Sequence, residues 1–252
     1  MPLGDISLIL PKTKILGSKN KLKRFRENDT FSNVVQPSRA EAESDGLLLK
    51  GNWNKYFFKN DNPIVLELGC GKGEYTVNLA KMYPNKNFLG VDIKGARFWR
   101  GAKTALEEEM KNVGFMRTQI ELIDLIFAEN EVDEIWILFA DPQMEKPRKR
   151  LTSRLFLDRY KHILKPEGTL NLKSDSTDLY EYTRDESIPE FNQERTGCQF
   201  EKVFDTDRLY EHGINALDET MQKVLNIRTY YEQMWLEQGK SIKYLRYDFK
   251  KS

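Results

Sequence analysis

The chain has 252 residues and carries 40 lysine and arginine residues against 39 aspartate and glutamate residues, which gives a formal net charge of +1. This length suffices for a full hydrophobic core, while the near-zero charge by itself indicates neither a nucleic-acid nor a membrane partner, so any such partner must be sought in local charge. Two isolated cysteines, the lack of an apolar run of about 18 residues and the lack of a signal-peptide pattern argue against a disulfide framework and favour a cytoplasmic protein with no membrane partner and no metal site.

The first 50 residues show little hydrophobic periodicity and contain a basic segment. Seven cations and no acid lie between residues 12 and 26: Lys12, Lys14, Lys19, Lys21, Lys23, Arg24 and Arg26. Such a segment fits either a solvated tail or an arm that orders on phosphates. We expect residues 1–50 to form a flexible basic arm and residues 51–252 to form one domain.

The stretch PIVLELGCGKG at residues 63–73 combines a short apolar run, an acid and three glycines at alternate positions. The apolar run is typical of a strand buried in a parallel sheet. The glycines would let the chain turn sharply into a helix and approach a ligand closely; they are Gly69, Gly71 and Gly73. This arrangement predicts a ligand crevice at the carboxyl end of the strand, with Glu67 beside it.

A second acid, Asp92, follows the next predicted strand and lies 25 positions after Glu67 (92 − 67). That offset is close to the one at which nucleotide-type sites place the carboxylate that holds ribose hydroxyls. A dinucleotide fingerprint counted from Gly69 would need glycine where the chain has Glu74, and the sequence contains no P-loop pattern. The motif favours S-adenosylmethionine (AdoMet) over NAD(P), and a simple glycine turn in an α/β protein is the remaining alternative.

Strand-like and helix-like segments alternate from residue 62 onward. This alternation predicts βαβ crossovers and an α/β fold, with a mainly parallel sheet and helices on both faces. We expect strands near 64–68, 87–91, 113–117, 134–140 and 168–173, and helices near 74–83, 96–111, 119–128, 150–164 and 176–186. Segments 200–204 and 242–249 follow their predecessors without a long helix directly between them, so they are predicted to form an antiparallel strand pair at the sheet edge.

The segment at residues 135–150 is the best candidate for the part of the site that holds an acceptor substrate. Its apolar strand ends at Asp141 and Pro142, on the same predicted sheet edge as the other acids. Basic residues follow at Lys146, Arg148, Lys149, Arg150 and Arg154. They fit a solvated helix start. Cations are unfavourable near a helix amino terminus, however, which favours an anionic partner such as a phosphate backbone.

Four blocks of the sequence together resemble the tRNA (guanine-N7)-methyltransferase family. The blocks are ELGCGKGEYTVNLAKMYPNKNFLGVDIKGAR, FADP with KPRKRLTSRLFLDRY, GTLNLKSD, and TYYE with the later IKYLRY, in the family's order over residues 50–249. The resemblance implies a class I, Rossmann-like AdoMet-dependent methyltransferase fold. It also implies transfer of a methyl group from AdoMet to N7 of a guanosine in the variable loop of tRNA.

The resemblance also assigns site residues. Cofactor contacts would fall on Glu67, Gly69, Gly71, Gly73, Asp92, Gln119 and Asp141. Asp141 would be the active-site residue, and substrate contacts would fall on Lys146, Asp175, Thr229 and Glu232.

The chain departs from the family at three points. Gln143 stands where tryptophan is common, and the basic run lacks a histidine, so Lys149 competes with Lys146 for the substrate contact. Gln119 stands where the family has an acid near the adenine, and an amide can still hydrogen-bond an adenine amino group.

Two other functions stay open at this point. A non-catalytic tRNA-binding or partner subunit of the same fold would be expected to have a damaged cofactor motif, yet Glu67, the three glycines and Asp92 are intact. An AdoMet methyltransferase for a small molecule or a protein would have no evident use for the basic run. We expect tRNA as the partner of a monomer or homodimer. The helical spacing of Tyr230, Tyr231 and Trp235 predicts core packing for these three rings.

Overall fold

The sheet has eight strands in the part of the chain that the structure, a computed structural model, describes, namely residues 17–44 and 47–251. The strands are β1 (Val34–Val35), β2 (Ile64–Leu68), β3 (Asn87–Val91), β4 (Val113–Met116), β5 (Val132–Leu138), β6 (Leu164–Ser174), β7 (Cys198–Thr206) and β8 (Lys243–Lys251). They lie in the order β1-β4-β3-β2-β5-β6-β8-β7. The run from β1 to β6 is parallel, whereas β8 is antiparallel to both β6 and β7.

Helices connect most of the strands. The α-helices are α1 (Gly17–Asn28), α2 (Arg39–Glu43), α3 (Glu74–Met82), α4 (Gly95–Glu107), α5 (Ile123–Ile126), α6 (Arg154–Ile163), α7 (Thr177–Glu181), α8 (Ile188–Glu194), α9 (Glu219–Leu225) and α10 (Tyr230–Glu237). Turns of 3₁₀ or π geometry occur at Trp53–Phe58, Ile120–Leu122, Pro147–Lys149, Tyr182–Ser187 and Gly213–Ala216. Among the described residues, no helix is long and apolar enough to cross a bilayer.

The core lies on both faces of the central strand β2, whose five residues are all buried. Leu66 and Leu68 belong to the apolar cluster on one face, and Val65 belongs to the cluster on the other. On β5, the Trp136 ring packs between Tyr75 and Tyr244, with ring centroids 5.3 and 6.1 Å away. Burial on both faces of the sheet explains why the sequence of β2 is an almost continuous apolar run, without the alternation of apolar and polar residues seen in half-exposed strands.

The order of the strands reverses between β2 and β5. From β2 the chain proceeds outward through β3 and β4, and it then returns to form β5 on the other side of β2. The two strands pair with Glu67 opposite Trp136 and Leu68 opposite Ile137. In open α/β sheets such a reversal leaves a crevice outside the carboxyl ends of the strands, which is the usual ligand site. The predicted α/β fold, with its antiparallel carboxyl-terminal pair, is confirmed.

Residues 17–44 belong to the segment 1–50 that is predicted to form a flexible basic arm, and in the structure they form helix α1, strand β1 and helix α2. Helix α1 packs along α4, where the Asn28 side-chain amide donates to the Gly95 carbonyl (2.9 Å), and β1 extends the sheet beside β4. Glycine permits this close packing, because a Cβ at Gly95 would lie 3.0 Å from Arg117 Cδ and 3.2 Å from the Phe25 ring. Residues 17–44 therefore contact the main domain. Residues 1–16, with Lys12 and Lys14, lie outside the described residues, and a boundary at residue 50 stays a prediction.

Candidate active site

The glycine turn after β2 borders open space. Gly69, Gly71 and Gly73 have φ angles of +78°, +55° and +73°, which residues with a Cβ rarely adopt. Apart from adjacent residues, no described atom lies within 4 Å of a Cβ built at Gly69 or Gly71. A Cβ at Gly73 would instead lie 2.4 Å from the Phe115 ring. The first two glycines therefore leave room for a ligand, while the third lets α3 pack closely on the sheet.

Asp92 fixes the glycine turn from the neighbouring strand. One of its carboxylate oxygens accepts a hydrogen bond from the Gly71 N–H (3.0 Å), and the other accepts one from the Lys94 N–H (2.7 Å). The Val91 carbonyl accepts a further bond from the Gly69 N–H (2.8 Å). Asp92 is only 8% exposed. Its carboxylate is therefore held in place, and each oxygen keeps acceptor capacity for a hydroxyl group.

Glu67, the acid of the glycine motif, is buried near the carboxyl end of β2. Its carboxylate accepts hydrogen bonds from the Thr76 N–H (2.8 Å) and from the Thr76 hydroxyl. Burial raises the pKa of Glu67 to about 8, although the bonds from Thr76 act in the opposite direction. At neutral pH, Glu67 is therefore largely protonated in the free protein. A cation bound beside it would favour the ionised form.

Asp141 lies on an exposed turn after β5. The backbone has positive φ on either side of this acid, +50° at Phe139 and +47° at Gln143. The Phe139 N–H donates to the Lys173 carbonyl (2.9 Å), which ties the turn to β6, and the Asp141 carboxylate accepts a bond from the Gln143 N–H (2.9 Å). Backbone strain of this kind is concentrated at functional sites. Here it presents Asp141 to solvent at the carboxyl edge of the sheet.

The basic run after Asp141 precedes α6 instead of opening it. The helix begins at Arg154, later than the predicted residue 150, because residues 147–149 form a 3₁₀ turn and Ser153 has an extended backbone (φ −70°, ψ 160°). Arg154 itself forms an ion pair with Glu194 (2.6 Å). Most cations of the run therefore lie before the helix. The expectation that they need an anionic partner because they stand at a helix amino terminus does not apply to them. The exposed members remain free to meet an anionic partner: Lys146, Arg148 and Lys149.

Arg150 is the buried member of the basic run. Its Nε donates to the Pro142 carbonyl (2.8 Å), and its guanidinium lies 4.4 Å from the centre of the Tyr182 ring. With 7% exposure, Arg150 cannot reach a phosphate backbone in this structure, contrary to its place in the predicted run. Its contacts instead hold the loop that carries Asp141.

A buried ion pair links β6 to α10. The Lys173 ammonium lies 2.6 Å from the Glu232 carboxylate, and it donates to the Leu225 carbonyl (2.7 Å). The Tyr210 hydroxyl lies 2.5 Å from the same carboxylate. Burial lowers the pKa of Lys173, and the charge of Glu232 opposes that shift. Because Glu232 has no exposed side-chain surface, this conformation offers a substrate no direct contact with it.

Thr229 and Glu232 also form the capping box of α10. The Thr229 hydroxyl accepts a hydrogen bond from the Glu232 N–H (3.3 Å), and the Glu232 carboxylate accepts one from the Thr229 N–H (3.4 Å). The spacing that resembles a substrate motif therefore has a local structural use. It fixes where α10 begins and, with that, the positions of the next two tyrosines.

The start of α10 contacts the glycine turn. The Tyr230 N–H donates to the Glu74 carboxylate (3.0 Å), and the Lys72 ammonium lies 3.6 Å from the centre of the Tyr230 ring. Tyr230 and Tyr231 are 49% and 39% exposed. The prediction that these two rings pack in the core is wrong, because Glu232 occupies the buried position in this first turn.

The structure brings most of the predicted site residues to one edge of the sheet. Glu67, Asp92, Asp141 and Asp175 lie at or just after the carboxyl ends of β2, β3, β5 and β6, which are adjacent strands. Asp175 forms an ion pair with Lys240 (2.9 Å). Gln119 is exposed beyond β4, farther along the same edge.

Lys173 is a residue of this region that the sequence analysis did not single out. The available signal was a lysine near the end of an apolar strand, LNLKS. A lysine in such a strand is expected to be buried, and a buried lysine requires a partner. Its partner lies in a distant segment, and nothing local identified it.

Comparison with known proteins shows the family of the chain. A family model described as "Putative methyltransferase" matches residues 61–245. The tRNA (guanine-N(7)-)-methyltransferase of Christiangramia forsetii is 52% identical to the chain, over 93% of this chain and 100% of that protein. The protein of the same description from Bacteroides fragilis is 48% identical, over 91% of this chain and 85% of its own length. The chain belongs to the tRNA (guanine-N(7)-)-methyltransferase family.

Solved structures agree with this family on the fold. "Structure of an Antibiotic Related Methyltransferase" superposes with a TM-score of 0.55 at 17% identity, over 82% of this chain and 96% of that one. The 16S rRNA methyltransferase KamB gives 0.53 at 13% identity, over 78% and 92%. At these identities the likeness shows the methyltransferase fold alone. Membership of the tRNA (guanine-N(7)-)-methyltransferase family, predicted from four sequence blocks, is confirmed.

Proposed function

We propose that the protein transfers a methyl group from AdoMet to N7 of a guanosine in the variable loop of tRNA. The main support is one juxtaposition: an open glycine turn with two buried acids lies on the same sheet edge as the exposed Asp141 and its basic loop. The printed descriptions of the relatives agree with this activity.

The residues at the glycine turn fit AdoMet. The open space at Gly69 and Gly71 would take the methionine end of the molecule, and the fixed Asp92 carboxylate would accept hydrogen bonds from the ribose hydroxyls. Glu67 would supply negative charge to the cationic methionine end, at the cost of losing its proton. The exposed Gln119 amide would hydrogen-bond the adenine.

The chemistry asks little of the protein beyond alignment. When bound, AdoMet supplies a methyl group activated by its sulfonium. Guanine N7 carries a lone pair and no proton, so no general base is needed for its attack. Holding two reactants in line can lower a barrier by about 7–11 kcal/mol in favourable cases. The rigid strand ends β2, β3 and β5 are suited to such alignment.

Asp141 would act on the acceptor base. Methylation at N7 makes the purine cationic. A carboxylate can accept hydrogen bonds from guanine N1–H and from the exocyclic amine, and these bonds become stronger as the positive charge develops. Such an interaction stabilises the transition state more than the ground state. The exposed Asp141 carboxylate, positioned by the Gln143 N–H, suits this role.

The remaining predicted substrate residues divide between contact and support. Lys146, Arg148 and Lys149 would contact RNA phosphates, and Asp175 would lie at the edge of the same site. Thr229 and Glu232 would act by fixing the start of α10. The family resemblance assigns both residues to direct substrate contact. For Thr229 this contact stays a proposal, and for Glu232 it requires a change in conformation.

The test is transfer of labelled methyl from AdoMet to an unmodified tRNA transcript with a guanosine in its variable loop. Borohydride and aniline then cleave the RNA at any N7-methylguanosine. Label together with cleavage at that loop is the expected result, and a transcript with adenosine at that position serves as the matched control. Tight AdoMet binding without label would contradict the proposed acceptor, and a chain that binds tRNA but not AdoMet would be a non-catalytic relative.

A further inference from the structure

A basic groove lies between α1 and the loops that follow β3 and β4. Its volume is about 670 Å³. Two of its cations come from α1, two from the start of α4 and the residue before it, and one from the loop after β4: Lys21, Arg24, Lys94, Arg97 and Arg117. None of the described residues that line the groove is acidic.

Two of these arginines are already stacked on aromatic rings. The Arg24 guanidinium lies 4.9 Å from the centre of the Trp99 ring, and the Arg117 guanidinium lies 5.0 Å from that of Phe25. Stacking limits the conformations of these side chains. The Arg117 Nε donates to the Ile93 carbonyl (3.4 Å), and the terminal N–H groups of the guanidinium remain able to donate. An arginine ordered in this way loses less entropy when it binds a phosphate.

Neighbouring carboxylates are engaged elsewhere. Glu27 on α1 accepts a hydrogen bond from the Trp99 indole N–H (2.5 Å) and lies 3.7 Å from the Lys23 ammonium. Asp92 accepts the two backbone bonds that fix the glycine turn. The five cations of the groove therefore converge without an acid among the lining residues, and their mutual repulsion favours a polyanion.

The groove adjoins the proposed cofactor site, since Lys94 follows Asp92 by two residues. AdoMet cannot account for the five cations, because it has no phosphate and carries a net positive charge. We infer that this groove binds the phosphate backbone of the RNA substrate, as a second contact region separate from the loop at residues 146–149. This inference rests on the proposed function and extends it to α1.

The experiment measures the affinity of an unmodified tRNA transcript over a series of salt concentrations for wild type, Lys21→Glu, Arg97→Glu and the double variant. Each reversal should weaken binding by at least about fivefold and lower the slope of log affinity against log salt by roughly 0.7–0.9. AdoMet affinity, measured in parallel, should stay within about twofold of wild type, because phosphate contacts act on the RNA alone.

Lys111→Glu is the matched control. Lys111 is an exposed lysine just before β4, so it lies at the amino ends of the strands, whereas the groove lies at the carboxyl ends of β3 and β4. If the groove variants bind tRNA as this control does while wild type methylates the transcript, the inference is overturned and the proposed function stands. A loss of AdoMet affinity in place of tRNA affinity would assign the groove to the cofactor. A wild-type chain that neither binds nor methylates tRNA would overturn the proposed function itself.

Discussion

The ammonium of Lys173 and the carboxylate of Glu232 lie 2.6 Å apart, with no exposed side-chain surface on either residue. This pair joins β6, which carries Asp175 at its end, to the capping box of α10, which positions Tyr230 against the glycine turn. The proposed cofactor and acceptor parts of the site are thus connected through one buried interaction.

We expect removal of either partner to destabilise the fold. Lys173→Met or Glu232→Gln leaves an uncompensated buried polar group, and breaking a buried ion pair in this way costs about 3–5 kcal/mol. The free energy of unfolding from urea titration measures the loss. The double variant should lose less than the sum of the single variants. Lys202→Met, which breaks an exposed pair with Asp205, is the control and should cost under about 1 kcal/mol.

Alanine at two glycines of the turn should separate stability from ligand binding. Gly73→Ala places a Cβ 2.4 Å from the Phe115 ring and at positive φ, so we expect it to unfold at clearly lower denaturant concentration. Gly71→Ala meets only the backbone strain, of about 1–2 kcal/mol, but its methyl group enters the space proposed for AdoMet. Calorimetric titration should show AdoMet binding lost in Gly71→Ala while the protein stays folded. Normal AdoMet affinity in that variant would contradict the placement.

The pKa of Glu67 predicts a pH dependence of stability. Because burial raises the pKa to about 8, the folded state keeps a proton that the unfolded chain releases near its ordinary value of 4.5. The contribution of Glu67 to stability is therefore fully present below about pH 4.5 and is lost as the pH rises through about 8. Unfolding of Glu67→Gln measured across this range should lack that fall. An identical pH profile in both proteins would exclude Glu67 as its source.

The same carboxyl predicts proton release on AdoMet binding. Near pH 7 the free protein holds Glu67 protonated, and a cationic ligand beside it should drive ionisation, so affinity should rise with pH up to about 8. Calorimetry in buffers of different ionisation enthalpy counts the proton released. Comparison with Glu67→Gln cancels the titration of the cofactor's own amino group. Equal proton release from both proteins would contradict a direct role for Glu67.

Asp141→Asn should retain AdoMet binding and lose most turnover. The amide keeps the size of the side chain but removes the negative charge that the cationic product attracts, and the loss of such a group typically lowers the rate by about 10²–10³-fold. Single-turnover methylation of the tRNA transcript measures the effect. A rate close to that of wild type would remove Asp141 from the proposed mechanism.

Arg150 and Lys149 are adjacent but should respond differently. Arg150→Met removes the hydrogen bond to the Pro142 carbonyl and loosens the loop of Asp141, so we expect a lower kcat with a salt dependence of tRNA affinity like that of wild type. Lys149→Met removes an exposed cation, so it should weaken tRNA binding and reduce the salt slope by roughly 0.7–0.9. The opposite assignment of the two effects would show that Arg150 reaches the RNA.

The sequence predicts the parts of the fold that depend on local pattern. The run before Gly69 identifies β2, and the acids at the ends of the apolar segments identify the sheet edge, because strand burial and glycine turns are local properties. The docking of α1 on α4 was missed, since it depends on Asn28 meeting the Gly95 carbonyl 67 positions away. The exposure of Tyr230 was missed for a similar reason. Helical spacing shows which residues share a face of the helix, but it does not show which face is buried. In α10 the distant Lys173 decides this, because it pairs with Glu232 and makes Glu232 the buried residue of the first turn.

Strand β8 follows β7 along the chain yet lies between β6 and β7 in the sheet. During synthesis, β6 and β7 emerge from the ribosome with no strand to join them, and the unpaired side of β6 stays open until β8 arrives. An open strand edge can pair with other chains. Nascent copies of this protein are therefore exposed to aggregation through β6 in the interval before β8 emerges, and a chaperone would be useful to them at that stage.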